Sequence, residues 1–294
     1  MDRIFESWIL LALSSSLFES LKNLWSKKAL EEGAPALMVA FATRFVSGLF
    51  FFPLVLPQLQ SLEANNQWWK WLLIGAALNA LNVFWFMRAL AKGALSSTEP
   101  IMNFTPFFLL LTASFFLKEY PTLGGIVGMI FILLGAWLLN HKPGFRFWQP
   151  FMELLQAPGP RLMLGVAFVA SLTTLFDKKG ILLTSPLVWT CAVNFTISFF
   201  YLVVLVFQQK LQLLFQFHNN KWLLLAALAN GLSSLCQMAA LSLALTAYVI
   251  SLKRTSAIFS LFWGYYFLKE FLTLNQLVGV LVMIAGVLII TFMQ

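Results

Sequence analysis

The segment Ser251–Glu270, SLKRTSAIFSLFWGYYFLKE, ends with four residues, FLKE, that also stand at 116–119, 151 positions earlier. The same offset aligns several other landmarks without a gap. They are Lys27-Lys28 with Lys178-Lys179, Pro35 with Pro186, KWLL at 70–73 with KWLL at 221–224, and Gly128 and Gly135 with Gly279 and Gly286. Self-similarity at one fixed offset is the signature of an internal repeat. The sequence therefore predicts two related halves.

The composition indicates a membrane protein. The chain is 60% hydrophobic and 10% charged, whereas soluble domains carry about 25% charged residues. Its net charge of +8 is ordinary for a membrane protein whose loops favour Lys and Arg, and it does not indicate a nucleic-acid partner. Cys191 and Cys236 lie inside apolar runs, so we interpret them as small side chains in the lipid phase rather than as a disulfide or metal site. No cofactor is predicted.

Apolar runs bounded by polar, Pro or Gly residues predict ten membrane-spanning helices, five in each half. Their ranges are 6–27, 35–57, 69–90, 94–117, 121–140, 161–180, 186–208, 220–243, 246–268 and 272–293. Because five crossings leave the chain on the opposite side, the second half enters the membrane inverted. The predicted fold is an all-α polytopic membrane protein with ten transmembrane helices in two inverted five-helix repeats. The repeats lie at 1–140 and 161–294, joined by a proline-rich linker at 141–160.

Several landmarks now carry a family resemblance. They are Pro35 and Arg44 at the start of helix 2, Pro106 in helix 4, the Leu-Lys-Glu junctions at 117–119 and 268–270, and the Gly spacing of helices 5 and 10. With this order of helices, the chain resembles the drug/metabolite transporter superfamily, EamA type. The resemblance implies a substrate-translocating protein whose central cavity is lined by helices 1–4 and 6–9, with helices 5 and 10 outside. One departure is Ala257, which occupies the position equivalent to Pro106, so proline predicts a kink in the first half only.

The orientation in the membrane receives two conflicting indications. The resemblance implies that both termini are cytoplasmic, in the inner membrane of a bacterium. More loop lysines and arginines would then face outside than inside, which is the reverse of the positive-inside rule. We keep the orientation that the resemblance implies.

The adjacent cations Lys253 and Arg254 lie inside the apolar run of helix 9. Charges in hydrocarbon are costly and mark a pathway or a paired partner. Glu99 and Asn103 open helix 4, and by helical rise Lys253 and Glu99 lie about 10 Å and 8 Å from opposite surfaces. They are expected to bracket a midplane site that suits an amphoteric solute such as an amino acid. If Glu99 faces elsewhere, the two cations favour an anion.

Other interpretations of these residues stay open. Lys253 and Arg254 are equally suited to binding backbone carbonyls or lipid phosphate. Glu99 is either a proton-carrying carboxylate or a simple interfacial one. Trp85, Phe104 and Trp263 are the aromatic side chains expected to line the cavity.

Glu19 in helix 1 and Arg44 in helix 2 reach about the same depth by helical rise. They form a candidate pair, because each would relieve the desolvation of the other. Two interpretations remain: a structural ion pair between helices 1 and 2, or a cavity-facing pair that meets substrate or protons. Lys22, three residues after Glu19, is expected to extend towards the membrane surface.

The function predicted first is a secondary transporter that moves a small metabolite, amino-acid-like or an organic anion, by alternating access, with proton coupling as an option. The alternative is a translocase of a lipid or a lipid-linked sugar. A membrane enzyme is disfavoured, because no catalytic constellation or phosphate-binding Gly loop stands in the sequence. The expected partners are a small solute and membrane lipids, and the sequence leaves monomer and homodimer open.

Overall fold

The computed structural model describes residues 2–59, 67–92, 99–140, 158–212, 220–268 and 273–293, and every regular element in them is helical. The elements are α1 (Asp2–Glu31), α2 (Ala36–Leu59), α3 (Trp68–Lys92), a 3₁₀ helix (Glu99–Phe104) leading into α4 (Thr105–Leu117), α5 (Leu123–Asn140), α6 (Pro158–Leu183), α7 (Pro186–Phe207), α8 (Lys221–Leu243), α9 in two segments (Thr246–Lys253 and Ser256–Leu268), and α10 (Leu274–Met293). The prediction of ten helices in an all-α protein is confirmed.

Five of these helices, α2, α6, α7, α8 and α10, are long and apolar enough to cross a membrane. Shorter apolar helices cover Ile101–Leu117 and Leu123–Leu139. A bilayer core of about 30 Å needs about 20 helical residues, and the 22 residues of α7 meet that length. The chain is therefore an integral membrane protein by the length and composition of its helices.

Two helix ends show how local sequence sets these boundaries. After α1, Gly33 adopts a φ of 89°, which favours glycine, and the N–H of Ala34 returns to the carbonyl of Ala29 at 3.0 Å. Before α7, the hydroxyl of Ser185 accepts a hydrogen bond from the N–H of Val188 at 3.2 Å. Pro186 then takes the first helical position, where its missing N–H costs nothing.

The chain forms two compact units that do not follow the two halves of the sequence. The first unit comprises Met1–Ala76 and Phe176–Leu243, and the second comprises Ala77–Leu175 and Ala244–Gln294. Helices α3 and α6 therefore begin in one unit and end in the other. The division into repeats at 1–140 and 161–294 stays a prediction, and most of the predicted linker at 141–160 lies outside the described residues.

In the first unit, α2 packs against its counterpart in the repeat, α7, and both pack against α8. The contacts run from Arg44 with Asn194 in the first half of α2 to Gln58 with Ser185 near its end. Residue numbers rise along α2 while they fall along α7, so these two equivalent helices are antiparallel. Antiparallel equivalents are what an inverted repeat requires.

In the second unit, α5 and its counterpart α10 make a close antiparallel contact through four glycines. A Cβ on Gly135 would lie 2.6 Å from the carbonyl oxygen of Gly279, and a Cβ on Gly286 would lie 2.6 Å from that of Gly128. Gly128 thus faces Gly286, which is the equivalent of Gly135. In turn, Gly135 faces Gly279, which is the equivalent of Gly128. This exchange is the pattern of a two-fold axis, and it shows that the glycines serve packing inside the chain.

Helices α4 and α9 are both irregular, and at the same position of the repeat. The 3₁₀ helix before α4 ends at Phe104, and α4 begins at Thr105. The second segment of α9 begins at Ser256, which is 151 residues after Thr105. The interruption is therefore shared by both halves, although Ala257 replaces the proline.

Candidate functional site

Helices α1, α2, α7 and α8 of the first unit bring together polar and charged side chains that we call the polar cluster. Its members are Ser15, Glu19, Lys22, Arg44, Ser47, Asn194, Asn230 and Ser233. They form two hydrogen-bonded groups, one around Ser233 and one around Asn230, and these two residues are a single turn apart on α8. Polar groups in a membrane-spanning bundle need such partners, because lipid supplies none.

The first group is centred on the carboxylate of Glu19. One of its oxygens forms an ion pair with Lys22, one turn further along α1, and the other lies 3.1 Å from the hydroxyl of Ser233 on α8. That hydroxyl also lies 2.9 Å from the carbonyl oxygen of Ser15, so its one proton has two acceptors. In return, the hydroxyl of Ser15 donates to the carbonyl of Ser233 at 2.9 Å. The group ties α1 to α8 and fixes the position of one carboxylate.

The second group is centred on the side-chain oxygen of Asn194, on α7. This oxygen accepts hydrogen bonds from the guanidinium of Arg44 at 3.3 Å and from the amide of Asn230 at 3.2 Å. The amide of Asn230 also donates to the hydroxyl of Ser47 at 3.0 Å. Asn194, Asn230 and Ser47 are buried. The side-chain amide of Asn194 thus links α7 to α2 and α8, and it supplies an acceptor to the guanidinium cation of Arg44.

Glu19 and Arg44 both take part in the polar cluster, but through other partners than each other. The ion pair of Glu19 is with Lys22, and the hydrogen bond of Arg44 goes to Asn194. Lys22, expected to extend towards the surface, instead turns to its neighbour on the same helix. Helical rise estimates depth but not the direction in which a side chain faces, which explains the difference.

The Glu19–Lys22 pair has the chemistry of an exchangeable site. Both side chains keep about one-fifth of their surface exposed, 21% for Glu19 and 20% for Lys22. An ion pair with that access can exchange a partner for a charged group of a solute. The carboxylate can also take up a proton while Ser233 holds it in place.

In the second unit, two of the predicted aromatic residues meet in one apolar cluster. Trp85 on α3 and Phe104 before α4 pack against buried residues that include Ile101 and Met163. The ring of Trp85 lies 3.1 Å from the point that a Cβ on Gly165 would occupy. These contacts are packing contacts, and they place the end of α3 beside the start of α6.

Asn103 is half-buried in the 3₁₀ helix, and the backbone of Glu99 forms the first residue of the same element. The 3₁₀ helix packs against α5, within the second unit. The side chain of Glu99 lies outside the described part of the structure. Whether Glu99 and Asn103 meet a solute stays a prediction.

Lys253 and Arg254 lie at the interruption of α9. Lys253 is the last residue of the first segment, and Arg254 and Thr255 form the turn before the second. Their backbone bonds are of the i to i−3 kind, with Arg254 donating to Ser251 at 3.0 Å. Both cations are half-buried. Trp263, further along the second segment, packs against neighbouring aromatic rings of the same helix.

The Leu-Lys-Glu junction after α4 has a structural role that the sequence pattern does not disclose. Lys118 adopts a φ of 57° and ends α4. The carboxylate of Glu119 then accepts hydrogen bonds from the N–H of Thr246 at 2.7 Å and from its hydroxyl at 3.2 Å. A carboxylate at the start of a helix satisfies free N–H groups and complements the helix dipole. The junction therefore fixes the first turn of α9.

The sequence did not predict three residues that join the helices around the charged side chains: Asn194, Asn230 and Ser233. One signal was available for Asn230, since Asn79 stands 151 positions earlier in the same apolar context. An amide repeated inside two apolar helices indicates a group that needs a partner. Ser233 also has a polar equivalent, Asn82, but the signal is weaker because serine is common in membrane helices.

The described part of the chain contains no group of three or more His, Cys, Asp or Glu placed to hold a metal ion.

Comparison with solved structures agrees with this fold. No curated protein matches the sequence. A solved structure described only as "Crystal structure of protein" superposes with a TM-score of 0.74 at 14% identity, over 96% of this chain and 95% of that chain.

At that identity the likeness shows the fold and nothing finer. The family comparison is more informative, because the model of the EamA-like transporter family matches residues 6–141 and, separately, residues 158–292. Both halves of the sequence match, and together they cover nearly all of it. This chain therefore belongs to the EamA-like transporter family.

Proposed function

We propose that this chain is a secondary transporter that moves a small metabolite, amino-acid-like or an organic anion, by alternating access. Membership of a transporter family gives the class, and the inverted repeat supports the mechanism. The observation that carries the proposal is the Glu19–Lys22 pair, a partly exposed carboxylate and ammonium on α1 that is bound to Ser233 of the apolar helix α8. Charged groups beside apolar helices are costly, and the access of this pair to solvent favours a role with solute or protons over a purely structural one.

The substrate side of the proposal assigns two groups of residues. Lys253 and Arg254, at the interruption of α9, would bind an anionic group of the solute, with Glu99 and Asn103 at the opposite end. Interrupted helices bind ions and charged solutes in other inverted-repeat transporters, because their ends leave backbone groups free. The aromatic side chains Trp85, Phe104 and Trp263 would contact the apolar part of the solute.

Proton coupling would be carried by Glu19. Protonation would remove its negative charge, release Lys22 and leave the hydroxyl of Ser233 with the carbonyl of Ser15 as its acceptor. A proton and the ammonium of Lys22 would then compete for the same carboxylate, so the charge at this position would follow the pH gradient.

The test is uptake into proteoliposomes of radiolabelled amino acids, organic anions and nucleotides, with and without a pH gradient. Wild type is compared with Glu19→Gln, Lys253→Ala and Glu99→Gln, and with Lys210→Gln as a control that removes a charge from an exposed loop position. We expect uptake of an amino acid or an organic anion. Glu19→Gln is expected to abolish stimulation by the gradient, while Lys210→Gln behaves as wild type.

Other outcomes separate the alternatives. If only anions move and Glu99→Gln is unaffected, the site is cationic and an amphoteric solute is ruled out. If no soluble solute moves while a fluorescent phospholipid crosses the bilayer, the protein is a lipid translocase and the proposal fails. Bacterial inner-membrane residence with cytoplasmic termini is part of the proposal, and labelling of a terminal cysteine in intact cells by an impermeant reagent would contradict it.

A further inference from the structure

The first unit contains two cation–π contacts that the repeat relates to each other. The ammonium of Lys28 lies 4.4 Å from the ring centroid of Trp222, and that of Lys179 lies 4.7 Å from the ring centroid of Trp71. The offset of 151 residues takes Lys28 to Lys179 and Trp71 to Trp222. Each contact therefore joins the end of the first helix of one repeat to the start of the third helix of the other.

The two contacts lie at opposite ends of the first unit. Lys28 is near the end of α1, where residues of α1 and α8 pack against the start of α2 around Met38. Lys179 is near the end of α6, a few residues before α7, whose first turn meets the end of α2 through Ser185 and Gln58. In an inverted repeat, two such equivalent contacts close opposite sides of the membrane.

The contact between α1 and α8 is reinforced, and its equivalent is not reinforced in the same way. The indole N–H of Trp222 donates to the carboxylate of Glu32 at 2.6 Å, and Lys221 lies 5.0 Å from the same ring. The position equivalent to Glu32 is Leu183, an apolar residue. The equivalent ring, Trp71, stacks instead against Phe176 at a centroid distance of 5.7 Å.

The same asymmetry continues along the helices. Ser15 and Glu19 of α1 both form hydrogen bonds with Ser233 of α8. The equivalent positions of α6 hold apolar residues, Val166 and Ala170. The position equivalent to Ser233 is Asn82 on α3. Within the described residues, the side-chain oxygen of Asn82 is buried without a hydrogen-bond partner. A buried acceptor left unsatisfied is costly, so the pairing of α3 with α6 is the less favourable of the two.

We propose that these two contacts act as latches, each of which holds one side of the protein closed in one of the two access states. The α1–α8 latch, Lys28 with Trp222, is the stronger, and the α3–α6 latch, Lys179 with Trp71, is the weaker. Without solute, the protein then rests with α1 and α8 closed at the Lys28–Trp222 end, and it opens at the end where Lys179 meets Trp71. The inference rests on the proposed transporter function. The difference between the two latches sets the equilibrium between the two access states, and a solute acts by shifting it.

The test measures distances between pairs of spin labels in the purified full-length protein, in lipid nanodiscs without solute. One pair, Leu30→Cys with Leu224→Cys, reports on the α1–α8 latch, and the other, Leu73→Cys with Leu182→Cys, reports on the α3–α6 latch. All four positions are exposed, and the native cysteines are replaced by alanine. We expect a single short distance for the first pair and a second, longer population for the second.

Variants test the cause of the difference. Trp222→Leu removes two cation–π contacts and a hydrogen bond to a charged group, and it should raise the open population of the α1–α8 latch by on the order of 10-fold. Trp222→Phe keeps a ring without the N–H and should have a smaller effect. Leu183→Glu places a carboxylate near Trp71 and should reduce the open population of the α3–α6 latch. Lys210→Gln, which removes a charge from neither latch, should change nothing.

The latch proposal and the transporter proposal fail separately, because the distances are measured without solute. A longer population at Leu30 and Leu224 in wild type would overturn the latch proposal, and so would a folded Trp222→Leu variant with wild-type distances. Either result would stand even if the protein transports a metabolite. If the distances shift as expected while no solute on the panel moves, the latches stand and the transported class is wrong.

Discussion

Replacing Asn194 by leucine should destabilise the first unit, because it removes the acceptor that serves two helices at once. Arg44 would lose its hydrogen bond of 3.3 Å, and the amide of Asn230 would lose one of 3.2 Å while keeping Ser47 at 3.0 Å. Hydrogen bonds between membrane helices contribute about 0.6 kcal/mol on average, and an unsatisfied charged donor costs about 1.5–3 kcal/mol. Asn230 retains a partner, so the loss at Arg44 dominates, and because Arg44 is half-buried the expected cost is about 1–2 kcal/mol.

The matched control is Asn194→Asp, which keeps the oxygen that accepts from Arg44 and Asn230 and places a negative charge beside Arg44. The hydrogen bond that the side-chain NH₂ of Asn194 donates to the carbonyl of Thr190, at 2.8 Å, is lost in this variant. That hydrogen bond lies within α7 and joins no other helix. We expect the aspartate variant to stay within about 1 kcal/mol of wild type, since the ion pair offsets the lost bond. Reversible unfolding by SDS in mixed micelles measures the difference. A leucine variant as stable as wild type, beside a strongly destabilised aspartate variant, would refute the assignment of Asn194 as the acceptor of Arg44.

Two further predictions concern the second unit. In Gly135→Ala the new Cβ would lie 2.6 Å from the carbonyl oxygen of Gly279, so α5 and α10 must separate, and overpacking of this kind costs about 1–3 kcal/mol. Gly75→Ala is the control, with 3.4 Å to its nearest neighbour, and thermal unfolding should show a loss only for Gly135→Ala. Glu119→Ala removes both bonds to Thr246 and should cost about 1 kcal/mol by the same measurement. Equal stability of Glu119→Ala and wild type would contradict the capping role.

The large features of the fold follow from the sequence, because the offset of 151 residues and the apolar runs determine helix number and inversion together. The glycine spacing also indicates close packing. What the spacing cannot supply is the identity of the partner helix, since Gly128 and Gly286 meet only after the chain has folded. The same restriction applies to the charged residues. Glu19 had a partner available on its own helix at i+3, and a local pair forms at lower entropic cost than one between helices.

The aromatic residues show a second kind of restriction. Trp85 and Phe104 were expected to line a cavity because they neighbour polar positions in the sequence. The structure packs both against Ile101 and Met163. A large ring beside a polar residue is compatible with either role, and because both rings are half-buried their cavity-lining role stays a prediction. In contrast, the placement of Lys253 and Arg254 at an interruption could not be foreseen at all, because their sequence contains no proline or glycine that breaks a helix.

That interruption is the most informative difference between sequence and structure. In the first half, Pro106 has no N–H for the carbonyl of Met102, which accepts instead from the hydroxyl of Thr105 at 2.8 Å. In the second half the proline is missing, yet the hydroxyl of Thr255 binds the carbonyl of Leu252 at 2.7 Å and the helix is interrupted at the equivalent place.

A feature that is present both with and without its local cause is maintained by its surroundings. The interruption therefore belongs to the architecture of the inverted repeat, and proline is one of two ways to form it. The chemistry at the two interruptions differs, with Asn103 in one and Arg254 at the equivalent position in the other. The latches differ in the same manner, since Glu32 has Leu183 as its equivalent. Duplication supplied two equal halves, and the properties that give a transporter its direction and its solute must reside where those halves have become unequal.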